Sequence, residues 1–322
     1  MKFNSQNFLT LNILFSSSLM ILSSSNWMFS WMMMELSFMT FLPLMTQSPK
    51  ISYQMMKFFI IQSMSSSLML FMMTMENIYP NKINLMIMLI SFLMKMGIAP
   101  LSFWMPMMFS FMNLYSCLLM STIQKIGPMI LMSQFIPFSM LKPSIMLSLL
   151  IGSISSMKQN KFKKFIAFIS ISSMAWMILS IYMSKLIFIK FMFIYYITNL
   201  FLIKILMQNN IISINQMWYK SLSMKIYIQS FMLSIMGMPP MLGFLPKWMI
   251  LKNFTFLMGS MSLFLVLTSF MQSISFMKMS INNIILSSSS LKTTNKIMKE
   301  KVYSLFMIWT MIYLPILSLL NL

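Results

Sequence analysis

Residues 95–100 read KMGIAP, and residues 237–247 read GMPPMLGFLPK. Both stretches interrupt hydrophobic segments that otherwise resemble membrane spans, and each carries a lysine, Lys95 or Lys247. In lipid, a broken helix leaves backbone N–H and C=O groups without partners, which is tolerated only beside protein or a water-filled cavity. Paired interruptions in the two halves of a chain are typical of inverted-repeat transporters. The sequence therefore predicts two broken membrane helices. The residues expected to break them are Gly97, Pro100, Pro239, Pro240 and Gly243.

The composition around these breaks is that of a polytopic membrane protein. The chain has 322 residues, of which 59% are hydrophobic and 8% are charged, whereas a soluble domain is about 25% charged. Each span takes about 20 residues, so the length allows about eleven transmembrane helices. We expect an all-α fold with spans at 6–23, 25–46, 55–75, 83–104, 110–134, 140–157, 164–184, 186–208, 223–246, 254–276 and 303–320.

The positions of the two breaks divide this single membrane domain, residues 1–322, into antiporter-like halves. Residues 1–134 form the first predicted five-helix repeat and residues 140–276 the second, and each has its broken helix in fourth place. An odd number of helices per repeat inverts the second repeat relative to the first. Residues 277–322 are expected to form a basic loop, or a surface helix, followed by a terminal helix.

The charge distribution predicts an orientation in the membrane. All 23 basic residues are lysine, and the net charge is +20. Most of these lysines fall in short loops between apolar runs, where positive charge sets topology, so nucleic-acid binding is disfavoured. The loops on the N-terminal side carry the excess of lysine. The N-terminus is therefore expected on the matrix or cytoplasmic side and the C-terminus on the opposite side.

The residues that this chain lacks exclude several kinds of site. It has no histidine and one cysteine, Cys117. A haem imidazole, a histidine–zinc site and a Ser–His–Asp triad are excluded, and one cysteine cannot hold an iron–sulfur cluster. There are 49 methionines and only 6 glycines, a bias toward AT-rich codons that is typical of an animal mitochondrial genome, particularly an arthropod-like one.

Four charged residues fall within the predicted spans, where a charge is costly and usually functional. They are Glu35, Lys95, Lys125 and Lys247. Glu35 is either neutral or paired with a lysine, unless it lies at the interface near a helix end. Each lysine either belongs to a proton pathway or extends to the interface. Gln62 and Gln124 either carry water chains or make polar helix contacts.

Several stretches resemble the family of subunit 2 of mitochondrial NADH:ubiquinone oxidoreductase (NADH dehydrogenase, respiratory complex I). They occur in the family's order and cover most of residues 20–250, and the last of them is very specific. The matching residues lie at 26–43, 94–106, 122–128, 164–176 and 236–248. Beyond residue 255 the similarity is one of hydropathy only. This chain departs from the family at three positions. The family usually has His where Ser102 stands and Glu where Met107 stands, and it often has His where Ser173 stands.

The resemblance implies an antiporter-like fold of eleven helices, three fewer at the N-terminus than in the longer members. It implies that Glu35, Lys95, Lys125 and Lys247 form a proton pathway driven by NADH-to-ubiquinone electron transfer in partner subunits of the mitochondrial inner membrane. NADH, FMN, iron–sulfur clusters and ubiquinone would be bound by those partners and no cofactor or metal by this chain. The expected neighbours are other antiporter-like, small core and accessory subunits, together with lipids.

Two other functions fit the same fold. A free-standing cation/proton antiporter normally keeps the additional N-terminal helices. A purely structural subunit of the membrane arm would have no use for buried charges that cost several kcal/mol each.

Overall fold

The computed structural model is helical throughout the part of the chain that it describes, residues 5–45, 52–78, 81–219, 222–257 and 259–285. The predicted span 303–320 and most of the basic stretch 277–302 lie outside these residues. The chain divides into two compact units, residues 1–148 and 149–322, with the boundary inside one helix.

The first unit contains seven complete helices and the beginning of an eighth. Their bounds are α1 Ser5–Ser23, α2 Trp27–Met45, α3 Ser52–Ile78, α4 Lys82–Met96, α5 Trp104–Phe111, α6 Leu114–Ser121, α7 Ile123–Phe135 and α8 Phe138–Ser156. Helix α1 packs on α2, and α3 packs on α4. Helix α7 contacts α1, α2 and α4, so it lies at the centre of this unit.

The described residues of the second unit form the rest of α8 and five further α-helices. They are α9 Phe162–Met183, α10 Lys185–Gln208, α11 Leu222–Met236, α12 Phe244–Leu257 and α13 Gly259–Ile285, with a 3₁₀ helix at Ile214–Tyr219. Helix α12 packs against α9, α10 and α13. The core of this unit is α9, whose residues from Phe165 to Ser180 are almost all buried.

Seven helical segments of the described residues are long and apolar enough to cross a membrane, with α6 and α7 counted together as Leu114–Phe135. The pieces of the broken helices fall short of this length. Helices α4 and α11 have 15 residues each, about 22 Å, whereas the hydrocarbon core is about 30 Å thick. This shortfall arises because each crossing is divided between two pieces.

The outer face of α13 shows how the helices meet lipid. Leu263, Leu267, Phe270 and Ile274 are 69%, 63%, 61% and 53% exposed, and their spacing places them on one helical face. An apolar stripe of this kind is rare on soluble monomers. The opposite face buries polar side chains such as Gln272, which donates to the Ser172 hydroxyl of α9.

Serine is tolerated within these apolar helices because its hydroxyl has a partner in its own helix. Ser37, Ser170 and Ser180 donate to the carbonyl three residues earlier at 2.7, 2.7 and 2.6 Å. Many other serines repeat the pattern, which is a known alternative for a hydroxyl without water. The serines are therefore compatible with spans and do not mark loops.

The bounds of several predicted spans are wrong. The span 83–104 ends at Met96, and the chain resumes as α5 at Trp104. The span 110–134 begins at Leu114 and is divided at Thr122, whose φ and ψ are −120° and −77°. The span 223–246 ends at Met236, and α12 starts at Phe244 and covers part of the predicted span 254–276. Each broken span was predicted as one segment, whereas in the structure one helix ends at the break and a second half-helix begins after it.

The half-helices after the two breaks begin in the same way. Pro106 is the third residue of α5, and Pro246 is the third residue of α12. Proline is tolerated in the first turn because the N–H groups there have no partner within the helix. Pro128 differs because it lies inside α7, and it removes the N–H that would donate to the Gln124 carbonyl.

Candidate functional site

The break after α4 is made by a glycine in the left-handed conformation. Gly97 has φ +68°, and its N–H donates to the Leu93 carbonyl at 3.0 Å. Ile98 donates to the same carbonyl at 3.1 Å. A residue with a Cβ is strained in this conformation. Since Leu93 takes both bonds, the carbonyls of the last residues of α4 have lost their helical donors.

Two side chains from elsewhere in the first unit satisfy those carbonyls. The Trp104 indole N–H donates to the Met94 carbonyl at 3.1 Å, and the Gln62 amide donates to the Lys95 carbonyl at 3.2 Å. Gln62 thus makes the polar helix contact that the sequence left open as one alternative. Trp104 was not identified from the sequence, although its place at the start of a half-helix was a usable signal.

Replacement of Gln62 by Met is expected to destabilise the break, because a buried carbonyl that loses its donor costs about 1–3 kcal/mol. Methionine keeps the length and most of the volume of the side chain, so packing changes little. Thermal denaturation of the purified membrane protein measures the effect. Gln54→Met is the matched control on the same helix, and an equal loss in both variants would contradict the role of Gln62.

Glu35 and Lys95 form an ion pair. Lys95 lies in the last turn of α4 and Glu35 in the middle of α2, and Nζ donates to Oε1 at 2.7 Å. Their side chains are 5% and 21% exposed. Of the alternatives that the sequence left open for Glu35, the structure shows the one in which Glu35 is paired with a lysine. Lys95 does not extend to the interface, because its ammonium is held beside the break.

Lys125 lies in the first turn of α7 and is 3% exposed. Its ammonium is 3.9 Å from the Met105 sulfur, a weak acceptor, and it has no ion-pair partner among the described residues. The adjacent Gln124 donates to the Ser37 carbonyl at 2.8 Å and so connects α7 to α2. The helix break beside Lys125 is at Thr122, before the lysine, and not at Gly127 and Pro128.

One cavity of about 20 Å³ joins these groups. Its polar lining comes from Ser37, Gln62, Lys95, Gln124 and Lys125. A water molecule needs roughly 10–15 Å³ measured in this way, together with polar partners. The cavity therefore has room for a water molecule between two lysines that lie on different helices.

The break after α11 repeats the backbone of the first one. Gly237 has φ +73°, its N–H donates to the Leu233 carbonyl at 3.0 Å, and Met238 donates to that carbonyl at 3.2 Å. The carbonyl of Met236 is satisfied by Lys247, whose Nζ donates to it at 2.6 Å. Lys247 is 5% exposed. Here the cation follows the break, on the second half-helix, whereas Lys95 precedes its break.

Lys247 has a second contact that the sequence did not suggest. Its Nζ lies 5.2 Å from the centroid of the Trp176 ring. It also lines a cavity of about 10 Å³ with the hydroxyl residues Ser173, Tyr195, Thr198 and Ser234. Ser173, where the resembling family often has His, therefore still lies at this site.

Met107, Ser102 and several other lysines do not line either cavity. Met107 is 40% exposed and Ser102 is buried. Lys190 and Lys204 are exposed, and Lys57 lies over the Tyr53 ring. Lys225 is in α11 and 7% exposed.

Comparisons with known proteins show the family to which the chain belongs. The NADH:quinone oxidoreductase/Mrp antiporter transmembrane family matches residues 24–275. The NADH-ubiquinone oxidoreductase chain 2 of Locusta migratoria is 33% identical over 264 residues, 76% of either chain.

Two solved structures share the fold. A chain of respiratory complex I from Thermus thermophilus superimposes with a TM-score of 0.76 over 88% of this chain and 71% of that one, at 16% identity. A chain of the membrane-bound sulfane sulfur reductase, an archaeal respiratory membrane complex, gives 0.77 over 96% and 73%, at 12% identity. This all-helical membrane protein belongs to the NADH:quinone oxidoreductase/Mrp antiporter transmembrane family, among the relatives of NADH-ubiquinone oxidoreductase chain 2.

Proposed function

We propose that this chain is a proton-translocating subunit in the membrane arm of respiratory complex I, in the mitochondrial inner membrane. Electron transfer from NADH to ubiquinone takes place in partner subunits, which bind the NADH, FMN, iron–sulfur clusters and ubiquinone. The observation that carries the proposal is the Glu35–Lys95 ion pair beside a helix break, whose buried lysine lines a cavity together with Lys125.

The arrangement of the first unit supports a proton transfer step. An ammonium in an apolar site depends on its counter-charge, and the cost of losing that counter-charge is several kcal/mol. Withdrawal of Glu35 from Lys95 would favour release of a proton into the cavity, where Lys125 also lies. Closure of the pair would restore the charge on Lys95. A conformational signal that opens and closes this pair would thus drive protons along the chain.

The finer parts of the architecture belong to the same proposal. They are eleven spans arranged as inverted repeats over 1–134 and 140–276, an N-terminus on the matrix side and a C-terminus on the intermembrane-space side. The matching backbones of the Gly97 and Gly237 breaks support the repeat. Other antiporter-like, small core and accessory subunits are the proposed neighbours, and the relatives' membership in multisubunit respiratory complexes supports this.

The test is proton movement per NADH oxidised by the assembled complex in sealed vesicles. Lys95→Met and Lys125→Met each remove a cation that lines the cavity, and Lys204→Met removes an exposed lysine as the matched control. We expect the first two variants to slow proton movement through this chain by about 100-fold, the usual scale for losing a positioned proton-transfer group. The control should pump normally.

The outcome separates the proposal from a structural role. If both cavity-lysine variants assemble and keep the parent ratio of protons to NADH, the chain is a structural subunit of the membrane arm. Proton exchange for Na⁺ or K⁺ by the isolated chain, without NADH oxidation, would instead indicate a free-standing antiporter.

A further inference from the structure

Trp176 occupies an unusual place for a tryptophan in a membrane helix. It lies in the interior of α9, and its side chain is 1% exposed. Tryptophan usually lies at the membrane interface, where its ring is in an apolar region and its N–H reaches water. The Trp176 indole N–H is buried and has no hydrogen-bond acceptor among the described residues. A hydrogen bond therefore does not explain why an indole is buried here.

The contact with Lys247 does explain it. The Lys247 ammonium is 5.2 Å from the ring centroid, within the roughly 6 Å over which an aromatic face attracts a cation. Indole is the best of the three aromatic rings for this interaction, which strengthens when water is excluded. Both partners are buried, at 1% and 5% exposure, so the attraction acts in an apolar environment.

The two units hold their cations with different partners. Lys95 has the Glu35 carboxylate at 2.7 Å. Lys247 has a backbone carbonyl at 2.6 Å and the ring of Trp176, and no carboxylate pairs with it in the described part of the chain. Each of these partners of Lys247 is neutral. Gly237 keeps room for the lysine, since a Cβ there would come within 2.8 Å of Lys247 Cδ.

We propose that Trp176 is a positioning residue for Lys247, and that its ring face takes the part that the Glu35 carboxylate has opposite Lys95. The inference rests on the proposed function of Lys247 in proton translocation. The ring keeps the charged lysine at the end of α11, beside the cavity that Ser173, Thr198 and Ser234 line.

This difference has a chemical consequence. A carboxylate can accept the proton of its lysine partner, whereas an aromatic face attracts the charged lysine but cannot take a proton from it. A proton that leaves Lys247 therefore cannot go to its electrostatic partner. It needs another acceptor, and a water molecule beside the hydroxyls of the cavity could take it. The second unit would therefore only pass protons onward, whereas the first unit could also hold a proton within the Glu35–Lys95 pair.

The test compares Trp176→Phe and Trp176→Met in the assembled complex in sealed vesicles. Phenylalanine keeps a smaller and weaker aromatic face and loses an N–H that has no acceptor among the described residues, whereas methionine fills space without a ring. We expect Trp176→Met to lower NADH-driven proton movement through this chain about tenfold, the effect of losing a desolvated contact of this kind, and Trp176→Phe to fall between it and the parent. Phe165→Met is the matched control, a fully buried aromatic about 16 Å away on the same helix.

A second comparison separates positioning from packing. In a Lys247→Met background, Trp176→Met should cause no further loss of proton movement, because the cation is already gone. Equal pumping by Trp176→Phe and Trp176→Met, or an additional loss in the Lys247→Met background, would overturn the inference. If Lys247→Met itself pumps like the parent, the proposed function of this site fails instead. If Trp176→Met does not assemble, an unchanged rate in Trp176→Phe overturns the inference.

Discussion

Glu35→Gln is expected to destabilise the first unit by about 3 kcal/mol, at the lower end of the range for breaking a buried ion pair. Lys95 is 5% exposed, and the loss of its counter-charge would destabilise the charged form of this lysine in its apolar site. The value lies at the low end because Glu35 is 21% exposed and the glutamine oxygen can still accept a hydrogen bond. Thermal denaturation and the yield of assembled complex measure the loss.

The double variant Glu35→Gln/Lys95→Met is the decisive comparison. It removes both charges and leaves an apolar side chain in the space of the lysine, so it should be more stable than Glu35→Gln alone. It should nevertheless pump no better than Lys95→Met. If the added substitution recovers no stability, the burial of an unpaired lysine is not the cause of the loss.

Gly243→Ala is expected to have the largest effect on the second unit. Gly243 lies in the turn between α11 and α12, and a Cβ there would overlap the backbone carbonyl of Ser234 in α11. A backbone atom of a helix cannot move aside as a side chain can, so the turn itself must shift. We expect a loss of at least about 3 kcal/mol, the upper range for overpacking, and a displaced Lys247.

Gly127→Ala is the matched control for this prediction. A Cβ at Gly127 would meet Ile21 Cδ1 and Met34 Cγ, each at 2.9 Å, which belong to flexible side chains. Alanine also has a higher helix propensity than glycine, by about 1 kcal/mol. The expected change is therefore small. Thermal denaturation of both variants, followed by the yield of complex, gives the comparison, and equal losses would show that backbone overlap is not the determining factor.

The two breaks explain why the site is both charged and stable. Each glycine in the left-handed conformation frees carbonyls at the end of a helix, and those of Met94, Lys95 and Met236 accept hydrogen bonds from side chains. In the first unit the donors are Gln62 and Trp104. In the second, Lys247 itself is a donor. In the second unit, one side chain both satisfies the backbone at the break and supplies the cation. In the first unit, different side chains do these two things.

Much of the fold could be read from the sequence because it depends on local chemistry. Clustered glycine and proline at Gly97, Pro100, Pro239 and Gly243 disfavour a continuous helix, and the structure has its breaks there. Long apolar runs with few charges predicted membrane helices, and seven such segments occur in the described residues. The break at Thr122 had no such signal, since neither glycine nor proline makes it.

The sequence could not predict which residues contact the buried charged side chains. It identified Glu35 and three lysines as buried candidates, but Lys95 and Lys125 were equally available to Glu35. The packing of α2 against the other helices of the first unit places Glu35 beside Lys95, which is 60 residues away in the sequence. Likewise, the sequence could not predict the contact between Trp176 and Lys247, because no sequence motif marks an aromatic ring that binds a cation. Local backbone preferences lie in neighbouring residues, whereas charge partners are set by contacts between distant helices, and these only the tertiary structure decides.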